Sequence, residues 1–327
     1  MDNTSQRRQL IILGICVVLL VIGGAVWYAL ARKSSVPKPT QTVSPSAVVA
    51  ALTNHPAPAS APTTGPQLHV GLYMSKMTGD QDGYSIQIVG ELSRGDFDLV
   101  PILEPGTASV PEMKKLLDLW FKDKSPVDVF DPEALKKLDV IVAPRIWMLP
   151  DEALAAIEAA VKSGTGLLAR NGLGCMRPGS GPEVSRLSGF TESAFAYNPH
   201  PMECEVIGSH PILGKLAGKI GQSLQITPNG TWGIPNAQTI PLIKVKDMKT
   251  FSDFAGGDQS MPFYPLYVSQ LGKGRIVGCQ FPAWSMMPKD LMSATDQEFN
   301  IRAVLWLAHK LDEKTPATTR ATTSTTR

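Results

Sequence analysis

The sequence predicts an α/β domain, and three observations carry that prediction. Several short runs are apolar without alternation, as strands buried on both faces are. Between two of these runs lies a stretch with apolar residues at helical spacing. Strand, helix and next strand fit within residues 138–170, the span of one βαβ unit, and such a unit implies a parallel sheet.

Each element has its own signal. Leu68–Met74 (LHVGLYM) reads as a first strand and Phe97–Leu103 (FDLVPIL) as a second, with a helical segment over 84–93 between them. Val110–Phe121 carries apolar residues at helical spacing. Asp131-Pro132-Glu133 opens a short helical turn, with acid and proline where helix starts favour them. Leu138–Pro144 (LDVIVAP) is a nearly continuous apolar strand. A helix then starts at Leu149-Pro150-Asp151-Glu152. Leu154, Ile157, Ala160 and Val161 form its apolar face, and Gly164 ends it. Gly166–Arg170 (GLLAR) is the next strand and Gly274–Phe281 (GRIVGCQF) a later one. A final helix covers 296–311, with Phe299, Val304, Leu305 and Leu307 inward. The expected architecture is a mostly parallel sheet with helices on both faces, flavodoxin-like in outline.

One transmembrane helix is expected before this domain. Leu10–Ala31 contains no charged residue, and roughly 20 apolar residues cross a bilayer core. Arg7, Arg8, Arg32 and Lys33 bracket the run, and Trp27 and Tyr28 stand where amphipathic rings favour the interface. Ala29-Leu30-Ala31 also fits a signal-peptide cleavage pattern, but signal cores run about 7–15 residues and this one is longer. A permanent anchor is the expectation, after a short tail over 1–9. A short polar N-terminus, one span and a large C-terminal domain place that domain outside the cytoplasm, periplasmic or extracellular. Cys16 reads as an ordinary cysteine of the apolar segment.

Residues 32–66 are rich in Pro, Ala, Thr and Ser and carry no Phe, Tyr or Trp. Such a segment buries too little apolar surface to offset its ordering entropy, so it reads as a disordered linker. As a coil it would reach roughly 30 Å, and up to about 100 Å in a polyproline-like form. The Thr-rich stretch 313–327 reads as a disordered tail, which leaves 67–312 for the folded domain. The net charge is +2 with 18% charged residues, so there is no basic footprint for nucleic acid. Cys175, Cys204 and Cys279 lie outside the span without C-x-x-C spacing. A Cys175–Cys204 bridge and free buried thiols both fit this pattern.

Residues 135–172 (LKKLDVIVAPRIWMLPDEALAAIEAAVKSGTGLLARNG) resemble the core of class I glutamine amidotransferase-like domains. The likeness is closer to their divergent relatives, the trehalose-utilisation-type domains and the trimerisation domain of some β-galactosidases. The family's glycine pair is split here, as Gly164-Thr165-Gly166. Val184–Phe190 (VSRLSGF), His210-Pro211-Ile212-Leu213, Gly272–Val277 (GKGRIV) and Asn300–Leu307 resemble further family segments in the same order. The resemblance spans 68–311 and implies an amidotransferase-like α/β fold in a bacterial protein.

The same resemblance implies where a catalytic triad would stand. The family places a cysteine at a sharp strand-to-helix elbow, G-x-C-x-G, where a helix N-terminus and a histidine activate the thiol. This chain has Ala169-Arg170-Asn171-Gly172 there, and Cys175 arrives later, in a Gly-Leu-Gly-Cys loop. The family's Q-F-H-P-E reads Gln280-Phe281-Pro282-Ala283-Trp284, without histidine or glutamate. No catalytic residue is therefore assigned, and the enzyme reading is disfavoured.

Ligand-binding candidates remain. Arg170 and Asn171 end a central strand, where open α/β sheets bind ligands. Arg suits a carboxylate or phosphate, although a structural salt bridge explains it too. Arg145 and Trp147 follow the preceding strand on the same edge. Cys175 reads as a buried or bridged thiol before a relocated nucleophile, and Trp284 as a candidate filler of the same cleft. His200 and His210 invite a metal reading with Glu203 or Glu205, but a zinc site needs three or four converging ligands. His210 before Pro211 is expected to order a turn, His69 to be a packed core residue, and His309 to be a surface or capping residue. Gly172-Leu173-Gly174 is too short for a phosphate loop. Trp232 and Met261–Tyr267 form either an aromatic lip or ordinary core. No metal and no cofactor is predicted.

Three functional readings follow. The first is a membrane-tethered, non-catalytic domain that binds a ligand or a protein partner. The second is a divergent hydrolase of carbohydrate or amide substrates. The third is a homo-oligomerisation module.

Overall fold

The computed structural model describes residues 67–74, 88, 92, 95–121, 124–144, 149–170, 187–197, 202–214, 219–226, 229–248, 262–279 and 294–311. Its strands are β1 (Leu68–Tyr73), β2 (Phe97–Leu103), β3 (Val127–Asp128), β4 (Val140–Ala143), β5 (Gly166–Arg170) and β6 (Phe190–Tyr197). They continue as β7 (Met202–Val206), β8 (Ser223–Ile226), β9 (Asn229–Pro235), β10 (Ile240–Val245), β11 (Leu266–Leu271) and β12 (Gly274–Cys279). The helices are α1 (Pro111–Trp120), α2 (Pro132–Leu135), α3 (Asp151–Ser163) and α4 (Ala294–Leu307), with 3-10 turns at Thr107–Ser109 and Pro211–Leu213.

Ten strands form one sheet in the order β3-β2-β1-β4-β5-β12-β11-β10-β7-β8. Every junction from β3 to β12 is parallel, and every junction from β12 to β8 is antiparallel. The expected mixed α/β fold with a large, mostly parallel sheet is thus present. The antiparallel extension, and the separate β6–β9 ribbon, go beyond the sequence expectation.

The two halves differ because their burial differs. β4 and β5 are buried at every position, which is why they read as apolar runs. β7 instead alternates. Met202, Cys204 and Val206 are buried, while Glu203 is exposed and Glu205 only partly covered. A strand solvated on one face carries that period of two.

Helices cover both faces of the parallel half. Tyr73, Ile141, Ala143, Leu167, Ala169 and Ile276 share a cluster with Leu154, Ile157, Ala160 and Val161 of α3. On the opposite face α4 buries Phe299, Ala303, Val304 and Leu307. A Cβ on Gly166 would lie 2.7 Å from the Leu307 Cβ, so glycine permits this close helix–strand approach. Asp131 caps α2 as its sequence predicts, accepting from the Glu133 N–H at 2.9 Å and the Ala134 N–H at 3.1 Å. Ile88 and Leu92, within the expected 84–93 helix, are helical and buried.

Among the described residues no helix is long and apolar enough to cross a membrane. The predicted span 10–31, the linker 32–66 and the tail 313–327 lie outside those residues.

His69 corrects an expectation. Its side chain is 57% exposed, not packed in the core. It occupies the amino end of β1, where the strand runs into solvent, and its Nδ1 meets Asp98 Oδ2 at 2.7 Å. Lys124 bonds the other Asp98 oxygen. Burial alone would raise the Asp98 carboxyl, but the bonds from Lys124 and His69 outweigh it and hold it below the usual carboxylate range. A depressed carboxyl stabilises the fold above its unfolded-state pKa, and that contribution fades as pH falls through the folded value. Asp98→Asn is therefore expected to flatten the acid limb of a stability–pH curve, by about 1 kcal/mol or less for such a surface network. An unchanged acid limb would rule the network out as a contributor.

Candidate functional site at the carboxyl edge

The parallel strands β1, β2, β4, β5 and β12 all end on one edge of the sheet. The chain passes from β1 to β2 on one side, and later from β3 back across to β4 on the other. The strand order therefore reverses between β1 and β4, and open α/β sheets bind ligands beyond the carboxyl ends at such a reversal.

Two side-chain pairs mark this edge. Tyr73, the last residue of β1, is 1% exposed and donates its hydroxyl to Glu104 Oε1 at 2.9 Å. Glu104 directly follows β2. Burial first, and the adjacent Glu104 second, push the Tyr73 phenol upward, so it remains a donor at any ordinary pH. Thr107, whose N–H donates to the Glu104 carbonyl at 3.0 Å, buries a hydroxyl that has no hydrogen-bond partner among the described residues.

The second pair involves Arg170, the last residue of β5. It is fully buried, and its Nη1 donates to Asn300 Oδ1 of α4 at 3.0 Å. Asn300 is fully buried as well. Cys279, the Cα partner of Arg170 on β12, is also buried. The bond joins the centre of the sheet to the last helix. The other ligand candidates, Arg145, Asn171, Cys175 and Trp284, lie outside the described residues, as do Trp147, His200 and the Gly172–Gly174 loop.

The remaining candidates resolve into structure. His210 orders its turn as expected, its Nδ1 accepting from the Ile212 N–H at 3.4 Å. Its ring also meets Trp306 edge-on at 4.8 Å. Arg275 lies 4.6 Å over the Trp306 ring and donates to the Trp306 carbonyl at 2.9 Å, which satisfies an acceptor in the last turn of α4. Arg302 reaches the Pro211 carbonyl through Nε at 2.8 Å. His309 is exposed with φ 57, just past the end of α4, in keeping with a surface or capping role. Phe263 and Tyr267 are core residues, and Tyr267 stacks edge-on against Phe190 at 4.9 Å. Trp232 lies in β9.

Glu203 serves an ion pair. Lys246 Nζ lies 2.7 Å from both Glu203 Oε1 and Ser223 Oγ, and the Ser223 hydroxyl donates to Glu203 at 3.0 Å. A lysine beside a serine can activate it only when neutral. Here the bond to Glu203 raises the Lys246 pKa, so the ammonium stays charged and Ser223 gains no base. Among the described residues no group of three or more His, Cys, Asp or Glu could hold a metal.

Cys204 is a free, buried thiol, and Cys279 is buried as well. For Cys204 this is the buried-thiol reading, while Cys175 lies outside the described residues. Burial foremost, with the Glu203 charge second, pushes the Cys204 thiol up to about 12. A thiol in that state is a poor nucleophile. Alkylation of Cys204 at neutral pH is expected only after unfolding, as peptide mass mapping would show. Rapid labelling of the native chain at Cys204 would contradict this.

Sequence reasoning did not single out the Tyr73–Glu104 pair. The signal available was position, since both residues lie at the carboxyl ends of predicted strands.

No protein-family model matches the chain, and no curated protein matches it. Solved structures do resemble it at low identity. A ThuA-like protein of Bacteroides uniformis is 13% identical over 76% of this chain and 94% of its own, with a TM-score of 0.42. A GMP synthase component of Thermoplasma acidophilum is 12% identical over 75% of this chain and 96% of its own, with a TM-score of 0.43. A β-galactosidase of Rahnella sp. R3 is 12% identical over 75% of this chain but 32% of its own, with a TM-score of 0.39.

Proposed function

We propose that this chain is a membrane-tethered, non-catalytic amidotransferase-like domain that works by binding a ligand or a protein partner. The observation that carries the reading is the Arg170–Asn300 bond. Where an elbow would present a thiol, β5 ends in a fully buried guanidinium tied to α4. In this reading Arg170 holds the edge in shape, and binding falls to the loops beyond β1, β4 and β5. The tether is supported by the uncharged run Leu10–Ala31 and its basic flanks. The domain would stand outside the cytoplasm on its Pro-rich linker.

Two measurements test the proposal. The full chain should stay with membranes through alkaline carbonate washing, and a chain lacking residues 1–31 should not. A full chain released by carbonate would overturn the tether. Purified full chain incubated with glutamine should release no ammonia above the level of a Cys175→Ser variant. A cysteine-dependent glutaminase signal would overturn the non-catalytic reading.

A further inference from the structure

We draw no further inference here: the strongest candidate, the Tyr73–Glu104 pair with the buried Thr107 hydroxyl at the carboxyl ends of β1 and β2, belongs to the site already described, and nothing in the structure shows which chemical class of ligand it would take.

Discussion

Replacing Arg170 with alanine is expected to destabilise the domain by about 3–5 kcal/mol. Arg170 is the largest fully buried side chain among the described residues. Its removal opens a cavity between β5 and α4 and takes the Arg170 donor away from the buried Asn300 carboxamide. The cavity alone accounts for a few kcal/mol, roughly 2–5 for large aliphatic truncations. The lost hydrogen bond to Asn300 places the total in the upper part of that range. For a domain of this size each kcal/mol shifts the midpoint of thermal unfolding by about 2–4 °C, so a drop of roughly 6–20 °C is expected.

A double-mutant cycle separates packing from polarity. Arg170→Met keeps most of the volume but deprives Asn300 of this donor. Asn300→Leu deprives the guanidinium of this acceptor. The double variant removes both partners, so its loss should fall short of the summed single losses by about 0.5–3 kcal/mol. Strict additivity in urea unfolding would mean that the 3.0 Å bond between them carries no energy.

Gly274→Ala is expected to cost about 3 kcal/mol, the upper end of the range for overpacking. A Cβ at Gly274 would stand 2.2 Å from the Val161 carbonyl oxygen and 2.6 Å from the Thr165 carbonyl oxygen. Both obstacles are backbone, so no rotamer change relieves them. The β11–β12 turn docks on the last turn of α3 through the Lys273 N–H, which donates to the Lys162 carbonyl at 3.1 Å. An added methyl must break that docking or displace α3 from the sheet. Gly221→Ala is the matched control. Gly221 has φ 87, but no atom stands within 4 Å of the place its methyl would take, so only left-handed strain of about 1 kcal/mol applies. Equal losses for the two variants would show that close packing at the hairpin is not what requires glycine.

The legible and illegible parts of this fold divide along physical lines. β4, α3 and β5 stand close to their predicted places, because a strand buried on both faces is an apolar run and a helix on a sheet has one apolar stripe. The Asp131 cap is equally local. The antiparallel extension was harder. Met202–Val206 alternates as a half-solvated strand should, but its glutamates also read as metal ligands until pairing gives Glu203 to Lys246. His69 misled for a related reason. An apolar run does not reveal which of its ends meets solvent, and His69 stands at the exposed one.

From sequence alone came the βαβ core, the Asp131 helix start and the uncharged N-terminal run. All of these are properties of contiguous residues, where periodicity, hydropathy and residue type suffice. Tertiary structure alone decided that Arg170 is tied to Asn300 across 130 positions, and Tyr73 to Glu104 across 31. It also decided that Ser223 and Lys246, though adjacent, form no reactive pair. The reason is that the order of strands in a sheet brings distant residues to one edge, and no local pattern encodes that order.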